Sequence, residues 1–165
     1  MSYWFRTTST DSIARRLADR HYNRQKIGSR RFVPPGRCLV LVTRNYDALW
    51  VTSYPYAEYV RHMWAGAWMN SLFRNESKVL SSLLIKEAVL RTIQFYGNPP
   101  KHGMVSFIDA DKTRRKRDPG RCYRKAGFRH VGFTDGGLWV LQLPPSTMPQ
   151  VNGLSPLQSS PVWTE

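Results

Sequence analysis

A long amphipathic run leads directly into a short apolar one. SKVLSSLLIKEAVLRTIQFYG (77–97) is followed after a six-residue loop, NPPKHG, by MVSFIDA (104–110). In the first run, Val79, Leu80, Leu83, Leu84, Ala88 and Leu90 recur at helical spacing, which predicts a helix with a buried face. Ser77 is a candidate N-cap and Gly97 a natural stop. The second run is almost continuously apolar, the pattern of a strand covered on both faces. A helix feeding such a strand through a short loop calls for a sheet with helices packed over it.

The flanking segments fit that frame. SIARRLADRHY (12–22) predicts an amphipathic helix with Ile13, Leu17 and Ala18 on one face and Thr10 or Asp11 as its cap. CLVLVT (38–43) and ALWVTSYP (48–55) predict a hairpin about Asn45-Tyr46-Asp47. Residues 56–77 open with a helical turn and close as a strand at AWMNSLFRN. CYRKAGF (122–128) predicts a short helix, and RHVGFTDGGLWVLQLP (129–144) the final strands. The expected fold class is α/β: one domain over 1–143, with a mixed central sheet and helices on both faces. From 144 to 165 the chain is rich in Pro and Ser and reads as a disordered tail. A site is expected where strand ends splay apart.

Charge narrows the partners. The chain carries 25 Lys and Arg against 11 Asp and Glu, a net +14 in 165 residues. That balance suits a polyanion, with DNA first among candidates. No apolar run reaches the ~20 residues that span a bilayer, and MSYWFRTTSTDSIARR holds no secretory core, so a soluble, cytoplasmic chain is expected. Cys38 and Cys122 read as reduced thiols, and four scattered His residues predict no metal site. There is no G-x-S-x-G elbow, Walker loop or Rossmann fingerprint.

Several residues suit chemistry. Asp109 ends the apolar strand and could accept a proton from an amine; its structural alternative is capping the next turn, a task Asp111 could take instead. Tyr123 could protonate a leaving group, or simply pack its helix. His21 and Tyr22 could stack on or hydrogen-bond an extruded base, or end their helix favourably. Lys112, Arg114, Arg115, Lys116 and Arg117 form the densest basic run, between Asp109 and Tyr123, and suit a phosphate backbone. Arg24, Arg30 and Arg31 form a second grip. Tyr54, Tyr56, Tyr59, Trp64 and Trp68 could stack bases or fill the core.

The segment Tyr123-Arg124-Lys125-Ala126-Gly127-Phe128, between two strands, resembles the Y-x-K-x-G-F helix after the fifth strand of GNAT-type N-acyltransferases. His21-Tyr22-Asn23-Arg24, Arg74-Asn75-Glu76, Val105-Ser106-Phe107-Ile108-Asp109 and the later Tyr-x-x-x-Gly-Phe occur in an order similar to bacteriophage Mom-type DNA-modification acyltransferases, over most of 15–143. The resemblance implies a GNAT-like fold and acetyl-CoA or another acyl-CoA as donor. It also implies an amino group of a DNA base as acceptor, reached by base flipping, in the cytoplasm of an infected bacterial host, protecting DNA from restriction. It assigns catalysis to Asp109 and Tyr123. The donor falls to the backbone at Leu72 and Phe73, and to Arg74, Asn75, Ser81 and Ser82, with pyrophosphate at the start of the long helix. The family's glycine-rich phosphate loop is replaced by Arg74-Asn75-Glu76-Ser77-Lys78-Val79-Leu80-Ser81-Ser82, which has no glycine. The alternative expectation is a non-catalytic nucleic-acid-binding module on a degenerate scaffold; a transferase acting on a protein or small amine ranks behind both. The oligomeric state stays open, a homodimer included.

Overall fold

The computed structural model of the chain describes residues 2–21, 27–34, 36–55, 63–112 and 118–160. Alternation along its strands decides the layering. In β2 (Gly36–Thr43), Leu39 and Leu41 face one side of the sheet and Val40 and Val42 the other. In β3 (Ala48–Pro55), Ala48 and Trp50 join the first side and Leu49 and Val51 the second. Both sets are fully buried, so both faces must be covered. Helix α1 (Ser12–Asp19) covers the second face with Ala14, Leu17 and Ala18. Helix α2 (Ser81–Tyr96) covers the first with Leu84, Ile85, Ala88 and Val89, and α3 (Arg121–Lys125) adds Tyr123 there.

The remaining strands are β1 (Trp4–Thr7), β4 (Trp68–Asn75), β5 (Met104–Ile108), β6 (Arg129–Phe133) and β7 (Trp139–Leu143). They form one seven-stranded sheet in the order β1-β2-β3-β4-β5-β7-β6. Every neighbouring pair is antiparallel except β4 and β5, which run parallel with α2 as their crossover. The described residues thus form a single α/β domain with a mixed sheet and three helices.

Three details depart from expectation. The edge strand β1 is an addition: its four residues pair with β2. The long helix starts at Ser81 rather than Ser77, because the Ser77 N–H and hydroxyl both donate to Asn75 Oδ1 and the hydroxyl accepts the Val79 N–H. Those bonds hold 77–79 in a turn. The helical turn expected after 55 falls at 56–62, outside the described residues.

The Pro- and Ser-rich tail is the largest correction, since through Ser160 it belongs to the domain. The Arg6 N–H donates to the Gln158 carbonyl and the Ser160 N–H to the Arg6 carbonyl, each at 2.8 Å. Ser160 is buried and shares a 2.6 Å hydrogen bond with Tyr46, while the buried Arg91 donates to the Ser155 carbonyl at 2.6 Å. A segment poor in apolar residues is fixed here by main-chain bonds to an edge strand. Among the described residues, no helix is long and apolar enough to cross a membrane.

Candidate active site

The parallel pair opens the sheet. β4 and β5 are in register only at Trp68–Met104, Met69–Val105 and Asn70–Ser106. β4 then runs on to Asn75 and β5 to Ile108 with no ladder between them. A bulge in β4 causes the parting. Val51 of β3 opposes Leu72 and Thr52 opposes Asn70, which leaves Ser71 as the extra residue. Trp68 and Asn70 share the face under α2 and α3; the insertion sends Leu72 to the α1 side and returns Phe73 to the helix side. Ser71 is held by a 2.7 Å hydrogen bond to the buried Ser53.

At the parting lies a notch of about 20 Å³, walled by Asn70–Phe73 on one strand and Ser106–Ile108 on the other. His21, just past the end of α1, and Tyr123 of α3 enter it from the two faces of the sheet. Tyr123 is only 6% exposed, with Phe73 and Phe128 edge-on to its ring at 6.2 and 5.4 Å. Its hydroxyl donates to Asn70 Oδ1. The direction of that bond is dictated from behind. Asn70 Nδ2 donates to the Val51 carbonyl at 3.0 Å and the Leu72 carbonyl at 2.9 Å, so the amide oxygen must face the notch. The same oxygen accepts the Ser106 hydroxyl at 3.3 Å. Asn70 therefore clamps the bulge with one end and orients a phenol proton with the other.

On the far side of α3 lies a second cleft, of about 430 Å³, beside the start of α2. Ser81 and Ser82 of α2 face Arg121, Cys122 and Lys125 across it. Asn75 shapes the loop before the helix, donating from Nδ2 to the Val79 carbonyl at 2.7 Å and to the Ser81 hydroxyl at 3.0 Å. Side-chain bonds thus build a turn that glycines often supply. No side chain caps α2, whose first turn presents backbone N–H groups and the positive end of a 16-residue helix dipole. Two cations opposite such a helix start suit a phosphate or pyrophosphate. Leu80, 68% exposed in the same wall, offers apolar surface to a less polar part of the same ligand. Asp118, also in the wall, is neutralised by an ion pair with Arg124.

The other expected site residues divide. Arg74 is engaged with the protein itself: Nε pairs with Glu76 at 2.6 Å and Nη1 donates to the Arg20 carbonyl at 3.0 Å. Arg20 closes on the same carboxylate at 2.7 and 2.9 Å. Hydrogen bonds from the two guanidinium groups hold the Glu76 carboxyl down to about 2. Arg74 thereby ties β4 to the end of α1, one residue before His21. Asp109 makes the turn-capping bonds weighed as its structural alternative: its Oδ1 accepts the N–H groups of Asp111 at 3.1 Å and Lys112 at 3.2 Å, one residue beyond β5 and outside the notch wall. Lys112, Arg30 and Arg31 are exposed, the two arginines on the loop between α1 and β2. Tyr22, Arg24, Arg114, Arg115, Lys116 and Arg117 lie outside the described residues, as do Tyr56 and Tyr59.

The stacking role weighed for Trp64 and Trp68 does not hold, because both are buried, at 7% and 1% exposure, and Tyr54 packs edge-on against Tyr96. Both cysteines are free thiols, and burial pushes the Cys38 thiol above its ordinary range. Among the described residues no three His, Cys, Asp or Glu gather as metal ligands.

Asn70 and Ser106 are the site residues that sequence reading missed. Their signal was a polar side chain at a core position of an otherwise apolar strand, which demands a buried partner. Comparison of the chain with known protein families, curated proteins and solved structures finds no match in any of the three.

Proposed function

We propose that the chain is a GNAT-type N-acyltransferase that moves an acyl or acyl-like group onto an amino group of a DNA base. One observation carries this reading. A buried phenol, held as a donor by Asn70, stands at a strand-splay notch, and the helix bearing it also walls a cationic cleft at the uncapped start of α2. That helix follows the fifth strand, where the resemblance expects its tyrosine.

The cleft residues fit an acyl-CoA. Ser81, Ser82, Arg121 and Lys125 would hold its phosphates, and Leu80 would meet its apolar stem. Such a donor supplies an activated acyl carbon and a thiolate leaving group. The chain's residues supply the rest. The notch, at about 20 Å³, takes one group the size of a water molecule, such as a carbonyl oxygen or a sulfur. The β5-facing side of β4 at Ser71–Phe73, past its last pairing with β5, borders the place where carbonyl charge would develop. Tyr123, whose phenolic proton rests on Asn70 Oδ1, would turn that proton to the departing thiolate as the amine nitrogen bonds the acyl carbon, and the proton released by the amine would restore the phenol. His21 stands on the opposite face, the side open to an acceptor amine. The DNA half of the reading rests on the net charge of +14. A base amine inside a duplex would have to be flipped out to reach the notch.

Calorimetric titration with coenzyme A tests the donor site. Binding to the wild-type chain, weakened at least about tenfold in Arg121→Glu and Lys125→Glu, is expected from loss of charge-assisted phosphate bonds. DNA binding without any coenzyme A binding would favour the non-catalytic binding module.

A further inference from the structure

Three rings unused by the proposed chemistry stand at the outer edge of the sheet. β6 is the edge strand, and its His130 and Phe133 cluster with Trp139 of β7. His130 stacks on Trp139, with centroids 4.7 Å apart and planes 11° apart. Phe133 stands edge-on to both, 5.0 Å from His130 and 6.5 Å from Trp139. His130 Nε2 meets the Gly132 carbonyl at 2.9 Å; a carbonyl only accepts, so that nitrogen carries the proton and the ring's orientation is fixed. Phe133 is 60% exposed. A single exposed ring is ordinary, but three mutually oriented rings make a surface.

The position of that surface is informative. Trp139 pairs with Ile108, which ends β5 and walls the notch. At about 4.8 Å between strands, Phe133 lies roughly 10 Å from β5. In sequence, the basic run 112–117 leaves from the same strand end. A second copy of this chain is a poor occupant. β6 has only five residues and a register shift between His130 and Gly132, a device that blunts edge pairing. Each copy would also bring a charge of +14.

We infer that His130, Phe133 and Trp139 form a stacking platform for an unpaired base of a single-stranded or locally opened nucleic acid. This rests on the nucleic-acid half of the proposed function and not on the transfer chemistry. The registers put Phe133 and Trp139 on the face of Ile108 and Tyr123, so a base on the platform would anchor the strand roughly 10 Å from β5 on that face.

Fluorescence anisotropy with a labelled twelve-nucleotide oligothymidylate, and with an abasic strand of equal length and charge, tests the inference. The wild-type chain should bind the base-bearing strand about tenfold more tightly, as one stacked base supplies. Phe133→Leu keeps the apolar bulk without the ring, and His130→Ala removes the stacked partner. Each should erase most of that preference and leave the salt dependence unchanged. Equal, strongly salt-dependent binding of both strands by the wild type would overturn the platform and leave the polyanion reading standing. Failure to bind either strand would overturn both. Sedimentation showing a dimer that Phe133→Leu dissociates, with strand preference unchanged, would assign the edge to a second copy.

Discussion

Asn70→Ala should destabilise the fold more than its position on a parted strand suggests. The amide makes four hydrogen bonds, two to the bulge carbonyls and two from the Tyr123 and Ser106 hydroxyls. Tyr123 and Ser106 are 6% and 2% exposed, so neither hydroxyl regains full hydration when its acceptor goes. A buried polar group left unpaired costs about 1–3 kcal/mol, and water entering the notch recovers part of it, so a total near 3 kcal/mol is expected. With a urea slope of about 2 kcal/mol per molar, the midpoint should fall by about 1.5 M. Asn70→Asp sharpens the test. Its carboxylate would face the Val51 and Leu72 carbonyls, which the amide meets at 3.0 and 2.9 Å, and neither can donate. The folded state then favours the protonated acid, and the variant's folded pKa rises above the unfolded value of about 3.9. The folded state binds the extra proton, so stability relative to wild type falls as pH rises above about 4. Urea melts at pH 4.5 and 7 measure both effects. A loss under about 1 kcal/mol for Asn70→Ala, or a pH-independent gap for Asn70→Asp, would refute the bonding described for Asn70.

Glu76→Gln removes a carboxylate held down at about 2 by Arg20 and Arg74, yet one largely open to water, so the loss at pH 7 should not exceed about 1 kcal/mol. Because that pKa is depressed, the stabilisation is present above pH 4.5 and fades as pH falls toward 2, and the wild-type and variant melting curves should converge there. Ending the chain after Leu154 strips Arg91 of its Ser155 acceptor and β1 of its tail bonds; a Tm drop of about 10 °C in calorimetry is expected from roughly 3 kcal/mol, and an unchanged Tm would show the tail to be incidental. Cys38, with its thiol pushed up by burial, should alkylate at pH 8 well below the rate of a free cysteine, with mass spectrometry of the 38-containing peptide as the readout.

The legible parts of the fold were those with an unbroken period. The hairpin of β2 and β3 and the core of α2 show their periods directly in the sequence. The bulge at Ser71 is invisible because AWMNSLFRN reads as one alternating strand, whereas the extra residue changes which side Leu72 and Phe73 occupy. Asn70 alternates onto the covered face of Trp68 whether or not the bulge is seen; what the sequence hides is its partners, since Tyr123 and Ser106 come from distant segments. The tail misled through composition: Pro and Ser predict few buried side chains, but its order comes from backbone bonds to β1, from the Arg91 and Tyr46 bonds, and from Met148 and Leu157 against the core, none of which composition encodes. Asp109 and Asp111 are equivalent by spacing, and only the geometry of the turn after Ile108 decides which one caps it. Tyr123 was findable because Tyr123-Arg124-Lys125-Ala126-Gly127-Phe128, between two strands, resembles the Y-x-K-x-G-F helix of GNAT-type N-acyltransferases.

The central claim is that Tyr123 serves transfer chemistry on DNA. Nucleoside mass spectrometry on DNA from cells expressing the wild type, Tyr123→Phe and Asp109→Asn tests it most directly. Asn at 109 keeps the turn-capping oxygen and loses only the carboxylate, so it separates capping from proton transfer. The account predicts a heavier nucleoside with the wild type, its loss by at least about a hundredfold in Tyr123→Phe as expected for a missing general acid, and retention in Asp109→Asn. A modified nucleoside undiminished by Tyr123→Phe would contradict the role given to the notch.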